Sequence, residues 1–460
     1  MNEMKKLLLP AFLFISLVST AQKKPLTHEV YDGWKSLGER IISNDGQYAV
    51  YAINPQEGDG ELVVEQLSTA SKKIIARGYE AMITEDSRYV VFKIKPFYQD
   101  TRQAKIKKKK TDDMPKDSIG ILELGKESVI KIARVKSFKS PEKGFGYIAY
   151  QLEKPEPDTS KKTKKPIVDS AKKQVDMLVK LADSIIRKSV ESVKPENLTK
   201  EEMIVAANKA AKEIIKKSKD EIIDAQNIFM DADGDDGPGG DSKAEGTDLV
   251  LRRMGDKKET RFHLVNDYLF DKYGTKLLIE TTAKSKDSNS MAYVLLYNLS
   301  TEKMDTLMRN FNDAKNFRFD ENGNQLAFVA ERDSSKKALQ KFYKLWYHAN
   351  AQDTASMIAE KNTVGMQLGF SISENASPLF SKDGKKLFFG TAPIVPAKDT
   401  SLVDFELARL DVWHYNDDYL QPMQLKNLNN ELRRSYMTVI IPGYERIVQL
   451  GDGSSENISL

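Results

Sequence analysis

One phrase recurs along this sequence and limits what the chain can fold into. Ile42-Ser43-Asn44-Asp45-Gly46 runs into Gln47-Tyr48-Ala49-Val50-Tyr51, and Ile83-Thr84-Glu85-Asp86-Ser87 runs into Arg88-Tyr89-Val90-Val91-Phe92. Phe270-Asp271-Lys272-Tyr273-Gly274, Phe319-Asp320-Glu321-Asn322-Gly323 and Phe380-Ser381-Lys382-Asp383-Gly384 each lead into a similar apolar run, and a looser copy spans Pro141 to Tyr150. In every copy an apolar residue closes one strand and an Asx-Gly type turn reverses the chain. Gly accepts positive φ, and Asp or Asn bonds its own backbone. A β-branched and aromatic strand follows. Uninterrupted copies lie about 40 to 60 residues apart, the period of a four-stranded propeller blade. A lone blade cannot bury both faces, so stacked blades are the stable solution. The expected fold is all-β: a β-propeller of four-stranded blades.

The repeat is interrupted between about 155 and 246. A basic run, Lys161 to Lys165, precedes Val175, Leu178, Ala182 and Ile185 at helical spacing. Pro195 breaks that pattern, Thr199 and Glu202 form a capping box, and Ile204, Ala207, Ala211, Ile214 and Ile215 continue an apolar stripe. The spacing predicts an inserted helical hairpin, then an acidic glycine-rich loop from Asp231 to Asp241. Strand character returns at Thr247-Asp248-Leu249-Val250-Leu251. The expected division is 1–21 signal peptide, 22–154 first blades, 155–246 insertion and loop, and 247–460 further blades.

The first residues set the compartment. Lys5 and Lys6 precede an apolar run of about twelve residues from Leu7 to Val18, and Ser19-Thr20-Ala21 follows. That run is too short to span a bilayer. Cleavage is expected after Ala21, with export to the periplasm or beyond and no membrane span afterwards. The chain has no cysteine, which removes disulfides, thiolate metal sites and a cysteine nucleophile. With 71 basic residues against 67 acidic ones, charge gives no case for nucleic acid.

The sequence assembles no catalytic, cofactor-binding or metal site. Asp231, Asp233 and Asp235 start like an EF-hand, but Asp236 and Ser242 stand where Gly and Glu are needed. Lys107 to Lys110 is a basic run blunted by Asp112, Asp113 and Asp117, as in a solvated loop between blades. The four histidines, His28, His263, His348 and His414, form no ligand pair, and His348 and His414 beside Trp346 and Trp413 suggest strand packing. Gly369-Phe370-Ser371-Ile372-Ser373 lacks the second glycine of a nucleophile elbow. Ser170-Ala171-Lys172-Lys173 fits SxxK at the level of chance, and Asn197-Leu198-Thr199 is an incidental sequon.

Several phrases carry a family resemblance. Val30-Tyr31-Asp32-Gly33-Trp34, Asn54-Pro55 through Gly60, Met114-Pro115 through Gly120, Pro378 through Gly384 with Gly390-Thr391-Ala392-Pro393, Asp411 through Tyr415, and Leu420 through Gln424 occur in order. In this order they resemble the front part of exported prolyl oligopeptidase-family serine peptidases of Bacteroidetes-type bacteria. The resemblance implies a propeller of seven or eight blades preceding a C-terminal α/β-hydrolase domain that supplies a Ser-Asp-His triad. No triad residue carries over to this chain, and paired glutamates that would grip a substrate amino terminus have no counterpart. Val439-Ile440-Ile441 and Arg446 to Leu450, with Pro442-Gly443 between them, read as further blade strands. The strands fall short of seven blades, so the expectation is a truncated propeller. It would cap and filter peptides for a hydrolase domain outside this chain. The alternative is a stand-alone secreted propeller that binds protein or glycan.

Overall fold

The computed structural model describes residues 31, 33–155, 244–397, 410–452 and 458, with 285, 286, 288, 336 and 337 left out. The chain separates into two compact units, Met1–Lys154 with Lys243–Leu460, and Pro155–Ser242. The predicted helical hairpin, its capping box, the SxxK phrase, the acidic loop, the signal peptide and His28 lie outside the described residues.

The first unit is all-β, in blades of four antiparallel strands joined in sequence order, and this is the blade architecture of a β-propeller. Blade 1 is β1 (Lys35–Ile42), β2 (Tyr48–Pro55), β3 (Glu61–Gln66) and β4 (Ser71–Ala76). Blade 2 is β5 (Gly78–Ile83), β6 (Tyr89–Ile94), β7 (Ser118–Glu123) and β8 (Val129–Ala133). Blade 3 is β9 (Val135–Lys139), β10 (Tyr147–Leu152), β11 (Thr247–Arg253) and the first half of β12 (Glu259–Phe270). The second half of β12 opens blade 4, which adds β13 (Lys276–Thr281), β14 (Tyr293–Asn298) and β15 (Met304–Arg309). Because β12 serves both, blades 3 and 4 form one seven-stranded sheet.

Blade 5 is β16 (Asp313–Phe319), β17 (Gln325–Glu331), β18 (Lys344–Ala349) and β19 (Ser356–Ala359). Blade 6 has a first strand broken into β20 (Phe370–Ile372) and β21 (Leu379–Phe380), followed by β22 (Leu387–Pro393), β23 (Tyr436–Ile440) and β24 (Ile447–Gln449). Among the described residues there are two α-helices, α1 (Tyr98–Ile106) and α2 (Gln421–Leu432).

The recurring phrase is the turn between the first and second strands of each blade. In blades 1, 2 and 6 a hydroxyl organises it: Ser43, Thr84 and Ser381 bond the carboxylates of Asp45, Asp86 and Asp383 at 2.5, 2.6 and 2.6 Å. The same hydroxyls accept the N–H groups of Tyr48, Tyr89 and Lys386. In blades 4 and 5 a carboxylate takes that place. Asp271 accepts the N–H groups of Thr275 and Lys276, and Asp320 those of Asn324 and Gln325. Short hydroxyl and carboxylate side chains are interchangeable here because either reaches the backbone of its own turn.

Neighbouring turns are tied together. Asn44 donates to the Glu85 carboxylate at 2.9 Å, and Lys143 pairs with Glu85 at 3.5 Å. The Lys143 N–H donates to the Lys272 carbonyl at 2.7 Å, Lys272 bonds Glu321, and the Gln325 amide donates to the Gly384 carbonyl at 3.0 Å.

Each junction between blades contains a residue in the left-handed region: Arg77 (φ 63°), Arg134 (φ 58°) and Leu264 (φ 59°) by themselves, Asn310 (φ 53°) in the short link 310–312 and Gly369 (φ 78°) at the end of the longer link 360–369. For a non-glycine residue that conformation costs roughly 1–2 kcal/mol. A repeated bond offsets it. The carbonyls of Arg77, Arg134, Leu264 and Gly369 accept the N–H groups of Lys95, Glu153, Thr282 and Ile394, just past the second strand of the next blade.

Between blades lie apolar cores. Val50, Leu62 and Phe92 belong to the core of blades 1 and 2, and Val91, Ile148 and Val250 to that of blades 2 and 3. Leu249, Tyr268 and Ile279 join blades 3 and 4, Leu307 and Phe328 join blades 4 and 5, and Val329, Leu387 and Ile440 join blades 5 and 6. Each fully buried side chain of this size contributes roughly 1.5–3 kcal/mol. The second strand of an interior blade is buried on both faces, which is why it reads as an unbroken apolar run.

Candidate functional site

The two ends of the blades differ in kind. At one end sit the tight, mutually bonded turns. At the other end lie the connections between second and third strands, where all the long insertions occur: 95–117 in blade 2, 153–246 in blade 3 and 394–435 in blade 6. Binding function concentrates on loops held by a rigid scaffold, so this loop end is the candidate site.

In blade 2 the connection carries α1. Its start is fixed from blade 1, where the Asp59 carboxylate accepts the Tyr98 N–H at 2.9 Å and Glu57 accepts the Tyr98 hydroxyl. The Arg77 guanidinium lies 3.7 Å over the Phe97 ring, a cation–π contact. Lys107 to Lys110 follow α1 and are exposed. They lie within blade 2, between β6 and β7, and not between blades as the sequence suggests. Of the acids expected to blunt them, Asp117 accepts the Tyr79 hydroxyl and Asp112 lies 3.9 Å from Lys154. Lys116 reaches Glu153 of blade 3 at 3.7 Å, at the root of the insertion.

In blade 6 the described end of the connection, 410–435, is an arm with exposed apolar side chains. Trp413 is 64% and Tyr415 90% exposed, and α2 presents Leu425, Leu428 and Leu432 to solvent. Its only buried residue is Gln421. Where α2 returns into β23, a cavity of 470 Å³ is lined by Ala392, Pro393, Val395, Leu432 and Tyr436, with Glu431 and Arg434, paired to each other, at its edge. Large exposed apolar patches mark interaction sites, and the arm holds several large apolar side chains in the open. The arm was missed in the sequence, although Pro422 just inside the helix and the i, i+3, i+7 leucines were available signals.

The singled-out residues are dispersed. His348 lies in β18, as expected, with its Nε2 2.8 Å from the Gln352 carbonyl. Burial holds its pKa below the ordinary imidazole value, with Lys276 adding to the shift. His263 faces solvent 2.8 Å from Asp248. His414 lies in an exposed turn beside Tyr415, and not in a strand. Gly369 of the elbow-like phrase is the crossover into blade 6, Ser371 is in β20, and Ser373 bonds Ser435 at 2.6 Å. Among the described residues no group of three or more His, Asp or Glu side chains is arranged to hold a metal ion. No described helix is long and apolar enough to cross a membrane.

The fold and this surface define a blade-built all-β protein with one locked end and one elaborated end. No family model and no curated protein matches the chain. Solved structures similar to it include acylaminoacyl peptidase from Pyrococcus horikoshii, at 9% identity over 78% of this chain and 44% of that one, TM-score 0.33. The β-propeller domain of the Trilobed protease from Pyrococcus furiosus is similar at 9% identity over 91% and 86%, TM-score 0.34. TolB from Acinetobacter baumannii is similar at 8% identity over 92% and 65%, TM-score 0.30. The chain spans less than half of that acylaminoacyl peptidase chain. At these scores the likeness carries no weight here, and the fold rests on the sheets themselves.

Proposed function

We propose that this chain is the propeller part of an exported serine peptidase of the prolyl oligopeptidase family, and that its loop end filters peptides for a hydrolase domain outside the chain. The supporting observation is the asymmetry of the blades. The connections at 95–117, 153–246 and 394–435 all leave from one end of their blades, and the described parts 95–117 and 410–435 are what a peptide arriving at that end would meet. The ordered phrases from Val30 to Gln424 supply the family. The chemistry would be acyl transfer through a serine, with this segment contributing selectivity. A second reading, a propeller that binds a protein partner on its own, draws on the exposed Trp413 and Tyr415 arm.

The test is to express the complete reading frame of the native gene and assay short peptides against folded proteins. The expected result is hydrolysis of short peptides alone, with folded substrates gaining access once 95–117 is replaced by a tight turn. A full product inert toward every peptide overturns the peptidase reading in favour of the binding module.

A further inference from the structure

Helix α2 and the segment before it carry charges sorted by sign. Asp411, Asp417 and Asp418 precede the helix, and Arg433 and Arg434 follow it. Gln424 of α2 donates to the Asp417 carboxylate at 3.3 Å and to the Tyr419 carbonyl at 2.8 Å, which holds the acidic segment at the N-terminal end of the helix. No acid lies in the first turn of α2 and no base in its last, the turns in which such charges offset the helix dipole. Arg434 pairs with Glu431. Asp411, Asp417, Asp418 and Arg433 are exposed and enter no ion pair among the described residues.

Apolar groups are sorted along the arm as well. Leu425, Leu428 and Leu432 repeat at i, i+3 and i+7, the spacing of a two-helix seam. The uncharged amides of Gln424 and Asn429 flank them. Trp413 and Tyr415 stand before the helix, and the 470 Å³ cavity lined by Pro393, Val395, Leu432 and Tyr436 opens where the helix ends. One end of the arm thus offers acids and aromatic rings, and the other offers a base and an apolar cavity.

We infer that this arm docks on the arm of a second copy of the chain, antiparallel and about a two-fold axis. An interface of that symmetry uses one surface twice, so the surface must complement itself. Antiparallel pairing seats leucine stripe on leucine stripe. It sets the Asp417 and Asp418 end of each arm against the Arg433 end of the other, and brings the Trp413 and Tyr415 of each copy to the cavity of the other. A parallel pair would set acid on acid and base on base. A tryptophan filling an apolar pocket is a common anchor of an interface. The area is sufficient too. Ten large apolar side chains between Leu410 and Leu432 are at least 46% exposed. At roughly 100 Å² each they offer about 1,000 Å², and a standard interface takes about 800 Å² per partner. The inference rests on neither reading of the chain's function.

Sedimentation velocity of the full chain tests it. The expected result is a shift from monomer to dimer between about 1 and 100 μM. Asp418→Arg and Arg433→Asp each set like charges together twice in the dimer, so each alone should weaken association by about tenfold or more. Mixed in equal amounts, the two variants should associate again, because both contacts of the mixed pair then join opposite charges. Recovery on mixing also shows that both variants fold. Trp413→Ala should weaken the wild-type dimer by about tenfold or more, as loss of a buried anchor does. A wild type that stays monomeric to about 100 μM overturns the inference. A dimer that neither charge reversal weakens also overturns it, by placing the contact away from the arm. Variants that stay apart when mixed overturn the antiparallel pairing.

Discussion

Lys143 donates its main-chain N–H to the carbonyl of Lys272 at 2.7 Å, joining the first turn of blade 3 to that of blade 4. The contact is backbone against backbone, so it tolerates little bulk. A Cβ on Gly144 would lie 2.1 Å from the Tyr273 carbonyl oxygen. Gly144→Ala should therefore lower stability by about 1–3 kcal/mol, the usual range for overpacking. The measurement is a urea midpoint, with the m-value unchanged. Wild-type stability would show that this seam gives way without cost.

The crossovers allow backbone strain to be isolated. Asn310 is exposed and left-handed at φ 53°, so its side chain has little packing to lose. Asn310→Gly should be within about 0.5 kcal/mol of wild type, because glycine adopts this conformation freely while losing more entropy on folding. Asn310→Val should cost about 1–2 kcal/mol, since a β-branched residue resists positive φ. Equal midpoints for the two variants would remove strain from the account of this junction.

The same positions show where the sequence stops being legible. The six turns could be read because their chemistry, a short hydroxyl or carboxylate followed by Gly in five of them and by Ser87 in blade 2, is local and repeated. The crossovers could not, because Arg77, Arg134 and Leu264 are ordinary residues whose left-handed conformation is compensated by a bond from the next blade. Nothing near Leu264 signals that β12 passes unbroken from blade 3 into blade 4. Helix α1 is hidden for another reason. Its only buried residue is Ala104 and its N-cap, Phe97, makes no side-chain capping bond, so neither periodicity nor capping marks it. The loop end was not legible as a site because its character comes from where the insertions leave the blades, a property of topology.

His348 makes folding pH-dependent. Its folded pKa lies below the ordinary value of 6.5 because burial disfavours the imidazolium. The unfolded chain therefore binds more protons as pH falls below about 6.5, and stability falls with it. Above that value the side chain is neutral in both states and contributes no slope. The urea midpoint should drop between pH 7 and pH 5, and His348→Gln, which retains a donor for the Gln352 carbonyl, should flatten the drop. An identical slope in the variant would assign the titration to another group.

The turn carboxylates act in the opposite part of the pH scale. Bonds from the Ser43 hydroxyl and the Gln47 N–H hold the Asp45 carboxyl below its ordinary value of 3.8, and Ser381 and the Lys385 N–H do the same for Asp383. A lowered folded pKa adds stability that is fully present above the unfolded value and is lost as pH falls through the folded one. The Asp45→Asn, Asp383→Asn double variant should thus be less stable than wild type at pH 7 and lose less on acidification below about pH 4. Parallel acid unfolding curves would show that these two turns do not feel the charge.

The arm of blade 6 gives the clearest separation between stability and interaction. Leu425, Leu428 and Leu432 lie along one stripe of α2 and are exposed, so replacing them removes apolar surface without opening a cavity. The triple variant Leu425→Gln, Leu428→Gln, Leu432→Gln should melt within a few degrees of wild type, since exposed substitutions usually stay within about 0.5 kcal/mol each. Its binding of a hydrophobic dye should fall, because this stripe is a large share of the apolar surface the arm offers. A large loss of stability would mean that α2 is packed in solution and is not available to a partner. Unchanged dye binding would move the adhesive surface elsewhere.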